Sequence, residues 1–195
     1  MKETSLTLEQ IETLIVGNPS APFYIRKNIV VPNVSWGYLN HEADLLVLSG
    51  ANRLTEVEIK RTWADFMADF KKNHTHYDRK LSHFYYAVPF SIANKVFDWL
   101  YIGEFDARKY WHSSSKVVGY TEYNPHGCGL IIYEDPDEYY PRGRSYINVM
   151  SKRMGEYKVP KEEEIQLLRL CGMRVWKLKQ KVADLQEELT KTNKA

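Results

Sequence analysis

The chain has 195 residues, of which 44% are hydrophobic and 27% are charged, and its net charge is +2. This apolar content excludes a mostly disordered chain, and the length fits one globular domain of ordinary size with an appendage. Because 27 basic residues stand against 25 acidic ones, the total charge predicts no polyanionic partner, and any nucleic-acid site must come from local clustering of charge.

The cellular setting is suggested by the cysteines and the N-terminus. Cys128 and Cys171 are too few for a disulfide scaffold and lack zinc-finger spacing, which favours a reduced, cytoplasmic setting. Glu3, Glu9 and Glu12 lie where a signal peptide would need an apolar run, so we expect no export signal. The longest apolar run is far shorter than a membrane span.

The first part of the chain predicts a helix followed by a strand. Thr7 and Gln10 form a capping-box pattern ahead of apolar residues at helical spacing, and Gly17 ends the predicted helix. A β-like stretch follows over 23–34. Because Pro32 interrupts it, we expect an edge strand or a bent one.

Two adjacent strands are predicted next. Residues 43–48 are apolar on both faces, as in a central strand, and residues 54–60 alternate in polarity. In the second strand Val57 and Ile59 share one face, and the other face carries Glu56, Glu58 and Lys60. The connecting loop is short, so the two strands should pair antiparallel.

An amphipathic helix begins near Thr62, with its apolar residues at helical spacing: Trp63, Phe66, Met67 and Phe70. We expect three polar residues to lie away from this stripe: Asp65, Asp69 and Lys72. Further along, the pattern predicts strands over 83–88, 129–133 and 146–150 and a helix over 91–100. Residues 101–124 are aromatic and irregular and give no assignment.

Pro160 opens a long C-terminal helix at a favoured first-turn position. Its apolar residues alternate three and four positions apart for about three heptads, as in a short coiled coil: Leu168, Cys171, Val175, Leu178, Val182, Leu185 and Leu189. Gly172 argues against a long rigid coil. We expect a domain over 1–159 and a helical extension over 160–195, which forms a homodimer, contacts a partner or packs back on the domain.

Asp44, Glu58 and Lys60 are the sharpest candidates for chemistry. Glu58 and Lys60 share a strand face, and the preceding strand brings Asp44 beside them. Two converging carboxylates suit a hard cation such as Mg²⁺, and a nearby ammonium can neutralise a phosphate or position a water. The alternative is that Glu56, Glu58 and Lys60 form the solvated face of an amphipathic strand.

The order of elements resembles that of the PD-(D/E)XK nuclease superfamily: helix, strand, Asp-bearing strand, Glu-x-Lys strand, amphipathic helix, strand. The resemblance covers about residues 5 to 135 and looks closest to a bacterial branch associated with DNA repair. It rests on these segments: ADLLV (43–47), EVEIKR (56–61), DFMADFKK (65–72), FYYAVP (84–89) and GLI (129–131).

The resemblance implies a restriction-endonuclease-like α/β fold, with a central mixed sheet flanked by helices. It implies Asp44 and Glu58 as ligands of Mg²⁺ or Mn²⁺ and Lys60 as the catalytic lysine. The implied function is metal-dependent hydrolysis of DNA phosphodiester bonds, in DNA repair or in a phage or mobile element. Ala43 departs from the pattern, because it stands where the name-giving proline would be.

The resemblance also implies an acidic residue from the first helix, which is either Glu9 or Glu12. Glu12 is preferred because it lies next to the apolar stripe of that helix. Glu42 lies on the same strand face as Asp44 and is a spare carboxylate.

Two basic segments are candidate DNA contacts. The first gives these candidates: Lys71, Lys72, Tyr77, Arg79 and Lys80. The second, over 142–158, interleaves basic residues with tyrosines, as suits a nucleic-acid strand; its candidates are Arg142, Arg144, Lys152 and Arg153. The alternative is that both segments are ordinary solvated loops.

Two further interpretations stay open. His74, His76, His126 and Cys128 form two mirrored pairs that could together ligate zinc, although not at a known finger spacing. The second interpretation is that the chain is a catalytically inactive nuclease-fold protein. It would bind DNA, or contact a protein partner, through its last helix.

Overall fold

The structure, a computed structural model, describes residues 3–34, 37–71, 76–102, 123–124 and 126–192. It divides into two compact units, 1–159 and 160–195. The first is an α/β unit with a six-stranded mixed sheet flanked by helices. Its elements are α1 (Leu8–Val16), β1 (Asn28–Val34), β2 (Ala43–Ser49), β3 (Leu54–Ile59), α2 (Trp63–Asp69), β4 (Leu81–Pro89), α3 (Phe90–Phe97), a π-helical turn (Asp98–Ile102), β5 (Gly129–Glu134) and β6 (Arg144–Val149).

The strands follow one another across the sheet in chain order, β1 to β6. β1, β2 and β3 pair antiparallel, as do β5 and β6, whereas the pairs β3–β4 and β4–β5 are parallel. The predicted antiparallel pairing of β2 with β3 is confirmed. A parallel pair needs a crossover connection, and α2 lies in the connection between β3 and β4.

The N-terminal predictions hold, with one shift of boundary. Both hydrogen bonds of the capping box join Thr7 and Gln10, and α1 ends at Val16, with Gly17 as its C-terminal cap. β1 is an edge strand that contains Pro32, which removes a backbone donor that a central strand would need. The strand begins at Asn28 instead of residue 23, because the preceding residues form a turn.

Apolar side chains form one core on each face of the sheet. On the first face, Ile11 and Ile15 of α1 are buried with Leu45 of β2 and Val57 of β3. On the second, Phe66 of α2 is buried with α3 and alternate residues of β4 and β5. β4 and β5 therefore contribute apolar residues to both cores.

The interpretation of Glu56, Glu58 and Lys60 as a solvated strand face is wrong. Their exposed fractions are 0%, 7% and 3%. Side chains of Asp69 and His76 reach this face and bond to it, so polar residues of β3 are enclosed by polar partners. Burying charges in this way is costly unless they are paired, so the pairing matters for the fold.

The second unit contains α4 (Lys161–Thr192), a single helix of 32 residues. Glu162, Glu163 and Glu164 occupy its first turn, where carboxylates complement the helix dipole. The predicted heptad residues Leu168, Val175, Leu178, Val182, Leu185 and Leu189 are exposed. Among the described residues, no helix combines the length and the apolar character that a membrane crossing requires.

Candidate functional site

Asp44 and Glu58 lie at the end of the pairing between β2 and β3. Leu45 and Val57 are paired, and Asp44 and Glu58 are their neighbours at that end, one on each strand. The Asp44 carboxylate accepts a hydrogen bond from the backbone N–H of Ile59 at 2.7 Å. Burial, followed by the negative charge of Glu58, raises the pKa of Asp44 from 3.8 to about 6. The site thus holds two acidic groups that repel each other.

Lys60 lies beside this pair, on the same face of the sheet as Glu58. Its Nζ donates to Glu58 Oε1 at 2.7 Å and to Asp69 Oδ1 at 3.0 Å. Burial alone would lower the pKa of Lys60, but the two carboxylates outweigh this effect and raise it above its ordinary value. Lys60 is therefore a permanently charged ammonium at neutral pH.

Asp69 belongs to this site, and the position that we predicted for it from the sequence is wrong. It is 6% exposed, whereas we expected it to lie away from the apolar stripe of α2. The signal was present, because Asp69 follows the fully buried Phe66 by three residues and so shares its helix face. Besides Lys60, Asp69 binds the hydroxyl of Tyr86, which donates at 2.9 Å.

The polar network continues away from Lys60 through two histidines. His76 contacts Asp69 through Nε2 at 2.6 Å and Glu56 through Nδ1 at 2.7 Å. Burial would lower the pKa of His76, but these two carboxylates raise it to about 10. The other oxygen of Glu56 contacts Nε2 of His41 at 2.7 Å. No motif in the sequence pointed to His41, because it precedes β2 in a turn-like segment.

Between the two first-helix acids, the structure favours Glu12. Burial, followed by the charge of Asp44, raises the pKa of Glu12. Asn33 donates to its carboxylate at 3.3 Å from a residue with a positive φ of 51°, just after Pro32. Glu9 is exposed in the first turn of α1.

The predicted magnesium ligands suit a hard divalent cation. Both are carboxylates, and Mg²⁺ binds through as few as one or two of them while keeping several waters. A cation between Asp44 and Glu58 would relieve the repulsion that raises the pKa of Asp44. Two groups of three potential metal ligands occur in the described residues, and neither contains Asp44: His41–Glu56–His76 and Glu58–Asp69–His76. The ammonium of Lys60 already bridges the carboxylates of the second group.

The basic candidates are divided between the two ends of the sheet. β3, β4 and β5 are parallel, so Lys60 marks the end at which all three finish. Glu134 closes β5 at this end and pairs with Arg144 at the start of β6. Arg144 donates two hydrogen bonds to Glu134, at 2.6 and 2.9 Å, and the neighbouring Arg142 is exposed.

The remaining basic candidates lie elsewhere. Arg79 and Lys80 immediately precede β4, and the backbone N–H of Lys152 donates to Gly127 just before β5. These residues therefore lie at the far end of the sheet from Lys60, roughly 20 Å away along the six residues of β3. Arg153 is paired with Glu156. Lys71 is exposed beyond α2, and Lys72 lies outside the described residues.

The zinc set of two mirrored pairs is not assembled in the described part of the chain. His74 lies outside that part, and His76 is engaged with Glu56 and Asp69. His126 is stacked on Tyr77, with ring centroids 4.7 Å apart. Cys128 belongs to the second core, where burial raises the pKa of its thiol to about 12. The described members of this set, His76, His126 and Cys128, do not form a group of potential metal ligands.

Comparisons with known proteins identify a similar fold but no function. No protein-family model matches the chain, and no curated protein does. The solved structure of SPO1766, a protein of unknown function from Silicibacter pomeroyi, is similar over 90% of this chain and 91% of its own, with 15% identity and a TM-score of 0.50. This similarity indicates a shared fold alone.

Proposed function

We propose that the chain is a metal-dependent nuclease that hydrolyses DNA phosphodiester bonds, built on a restriction-endonuclease-like core. The carrying observation is that the Asp44 carboxylate accepts from the backbone N–H of Ile59, the residue after Glu58, while the Lys60 ammonium contacts Glu58. The helix, three antiparallel strands, helix and parallel fourth strand reproduce the element order on which the family resemblance rests. The pathway we propose remains DNA repair or a phage or mobile element.

The charge of each site residue suggests its role in the proposed reaction. Asp44 and Glu58 would hold Mg²⁺ or Mn²⁺, which supplies Lewis-acid polarisation of a phosphoryl oxygen. Lys60 holds its proton, since Glu58 and Asp69 raise its pKa, so it acts by stabilising developing negative charge and not as a general base. Glu12 adds a third carboxyl near Asp44.

The DNA strand would approach the end of the sheet at which β3, β4 and β5 finish. Arg142 is the exposed member of the second basic segment at that end, whereas the charge of Arg144 is largely neutralised by Glu134. Arg79, Lys80, Lys152 and Arg153 would contact only DNA that extends to the far end of the sheet. The first contacts should therefore come from Arg142.

One observation favours a second function, the binding-only alternative. The side chain of Lys60 is 4% exposed and held by two carboxylates, so it reaches substrate only if the surrounding side chains move. A protein in which Lys60 and its two carboxylates serve only as a structural element would bind DNA, or a protein partner, without cleaving DNA.

A cleavage assay separates the two functions. Single-stranded, double-stranded and branched DNA are incubated with protein and Mg²⁺ or Mn²⁺, with EDTA as the blank. Asp44→Asn is the informative variant, because it keeps an oxygen acceptor for the Ile59 N–H while removing the charge. Asp184→Asn makes the same chemical change at an exposed position of α4 and is the control.

The nuclease proposal expects metal-dependent cleavage by the wild type and by Asp184→Asn, and a loss of at least a hundredfold in Asp44→Asn. No metal-dependent cleavage of any substrate by the wild type overturns it in favour of binding alone. Lys60→Ala is a poor first choice, since it removes the ammonium that pairs with the buried Glu58 and Asp69, at an expected cost of about 3–5 kcal/mol.

A further inference from the structure

Glu56 is a buried carboxylate whose two oxygens contact two different histidines. The side chain is fully buried in the middle of β3. Oε2 lies 2.7 Å from Nε2 of His41, and Oε1 lies 2.7 Å from Nδ1 of His76. The ligand atoms of the three residues all lie within 4.8 Å of one another. One carboxylate and two imidazoles therefore converge on one point inside the fold.

The second nitrogen of each imidazole is also bonded, which fixes both rings. Nδ1 of His41 lies 2.5 Å from Oδ1 of Asn40, and Nε2 of His76 lies 2.6 Å from Oδ2 of Asp69. Metal-binding histidines in proteins show this arrangement, in which the outer nitrogen is bonded to a carboxylate or carbonyl oxygen while the inner one binds the ion. His76 is also stacked on Phe84, with centroids 4.8 Å apart.

The formal charges of the buried groups leave room for a divalent cation. In the described residues, three carboxylates are buried, those of Glu56, Glu58 and Asp69, against the single buried ammonium of Lys60. Two more positive charges balance this set. They come either from protonation of both histidines or from one divalent ion bound to neutral histidines.

We propose that His41, Glu56 and His76 bind one first-row transition-metal ion, best suited to Zn²⁺, at a site separate from Asp44 and Glu58. Two imidazole nitrogens and one carboxylate form a ligand set that zinc proteins use, and hard Mg²⁺ prefers all-oxygen sites. The site does not depend on the nuclease proposal.

The ligand atoms would have to shift to admit the ion. Zinc bonds of 2.0–2.1 Å in a tetrahedral arrangement separate neighbouring ligand atoms by roughly 3.3 Å. The 2.7 Å contacts of Glu56 would therefore lengthen by about half an ångström, and the two imidazole nitrogens, which lie within 4.8 Å of each other, would settle at the same spacing. The bound ion would tie β3 to the segment of His41 and to the segment of His76, which already contact each other through hydrogen bonds from Asn40 to Tyr77 and Asp78.

The test measures metal in the full-length protein purified without a polyhistidine tag. Zinc content is determined by elemental analysis, and Co²⁺ is then titrated into chelator-treated protein and followed by visible absorption. His41→Ala removes one proposed ligand. His126→Asn is the control, because it removes an exposed histidine that is stacked on Tyr77 and lies outside the proposed ligand set.

The proposal expects about one ion per chain in the wild type, ligand-field bands without a thiolate charge-transfer band, and a rise in melting temperature on adding zinc after chelation. His41→Ala should lose at least a hundredfold in affinity, while His126→Asn keeps it. A wild type that binds neither ion overturns the proposal and assigns the cluster to protonated histidines. Loss of binding in His126→Asn, or a thiolate band, also overturns it by moving the ion elsewhere. If His41→Ala does not fold, the wild-type stoichiometry and spectrum still decide.

Discussion

The raised pKa of the Asp44 carboxyl implies a cost in folding stability. A carboxyl group whose pKa is raised on folding binds its proton more tightly in the folded state than in the unfolded state. The destabilisation is therefore fully present above the folded pKa of about 6 and disappears as the pH falls towards the ordinary value of 3.8. Without a bound ion, the repulsion between Asp44 and Glu58 should cost most at neutral pH.

Asp44→Asn should consequently stabilise the metal-free protein at pH 7.5, by roughly 2 kcal/mol. The amide keeps the acceptor for Ile59 and removes the charge that faces Glu58. Urea unfolding in EDTA at pH 7.5 and pH 5 measures the difference, which should shrink at the lower pH. An Asp44→Asn protein less stable than wild type at pH 7.5 would show that the carboxylate is compensated by something other than a metal.

Residue types alone could not predict whether Lys60 is buried or exposed. The spacing of Glu58 and Lys60 correctly placed both on one face of β3 and adjacent to Asp44. The same alternation also suggested a solvated face, since polar residues at every second position are the pattern of a half-exposed strand. The partners that decide the matter, Asp69 and His76, lie 9 and 16 residues beyond Lys60 and carry no strand periodicity.

At the scale of elements, the strongly periodic segments were predictable and the irregular ones were not. The capping box fixed the start of α1, and the apolar run of β2 gave its central position. β6 begins at Arg144, two residues earlier than the pattern indicated, because pairing with β5 extends it. α3 ends at Phe97 and passes into a π-helical turn, which hydrophobic periodicity does not distinguish from a continuing α-helix.

Gly129, at the start of β5, is required by close packing. A Cβ at this position would lie 2.2 Å from Cε1 of the Tyr85 ring, whose residue is its partner on β4, and 2.7 Å from the backbone nitrogen of Ser151. The glycine of the GLI segment thus lets Tyr85 lie across the strand. This is a packing requirement and carries no chemistry of its own.

Gly129→Ala should lower the free energy of unfolding by about 2–3 kcal/mol, because backbone and a buried ring must both shift to admit one methyl group. Gly50→Ala is the control, since a Cβ there meets nothing within 4 Å and should change stability by less than about 0.5 kcal/mol. Chemical denaturation of the two variants beside wild type gives both values. Equal effects at the two positions would contradict the packing argument.

For the whole molecule, the near-neutral total charge conceals a separation of charge inside the first unit. Carboxylates accumulate around β3, while exposed basic side chains are divided between the two ends of the sheet. Sequence clustering could not reveal that division, since residues 142 and 152 are close in the chain but are separated by the length of β6. A basic segment of sequence is therefore not one basic surface.

Exposed apolar residues of α4 recur at heptad spacing. In heptad terms, Val175 and Val182 occupy a positions, and Leu178 and Leu185 occupy the intervening d positions; all four are at least 46% exposed. β-branched residues at a with leucine at d favour parallel two-stranded coils. We propose that two copies pair through this stripe, with Gly172 limiting the length of the coil.

Leu178→Asp combined with Leu185→Asp should therefore convert a dimer into a monomer, because each charge would be buried against its symmetry mate. Gln180→Asp, between them on the helix but outside the a and d positions, should leave the dimer intact. Light scattering on a sizing column measures the masses. In a parallel pair, Cys171 at a d position meets its own copy, so mild oxidation should yield a covalent dimer. A wild type that stays monomeric at high concentration would assign the stripe to a different partner.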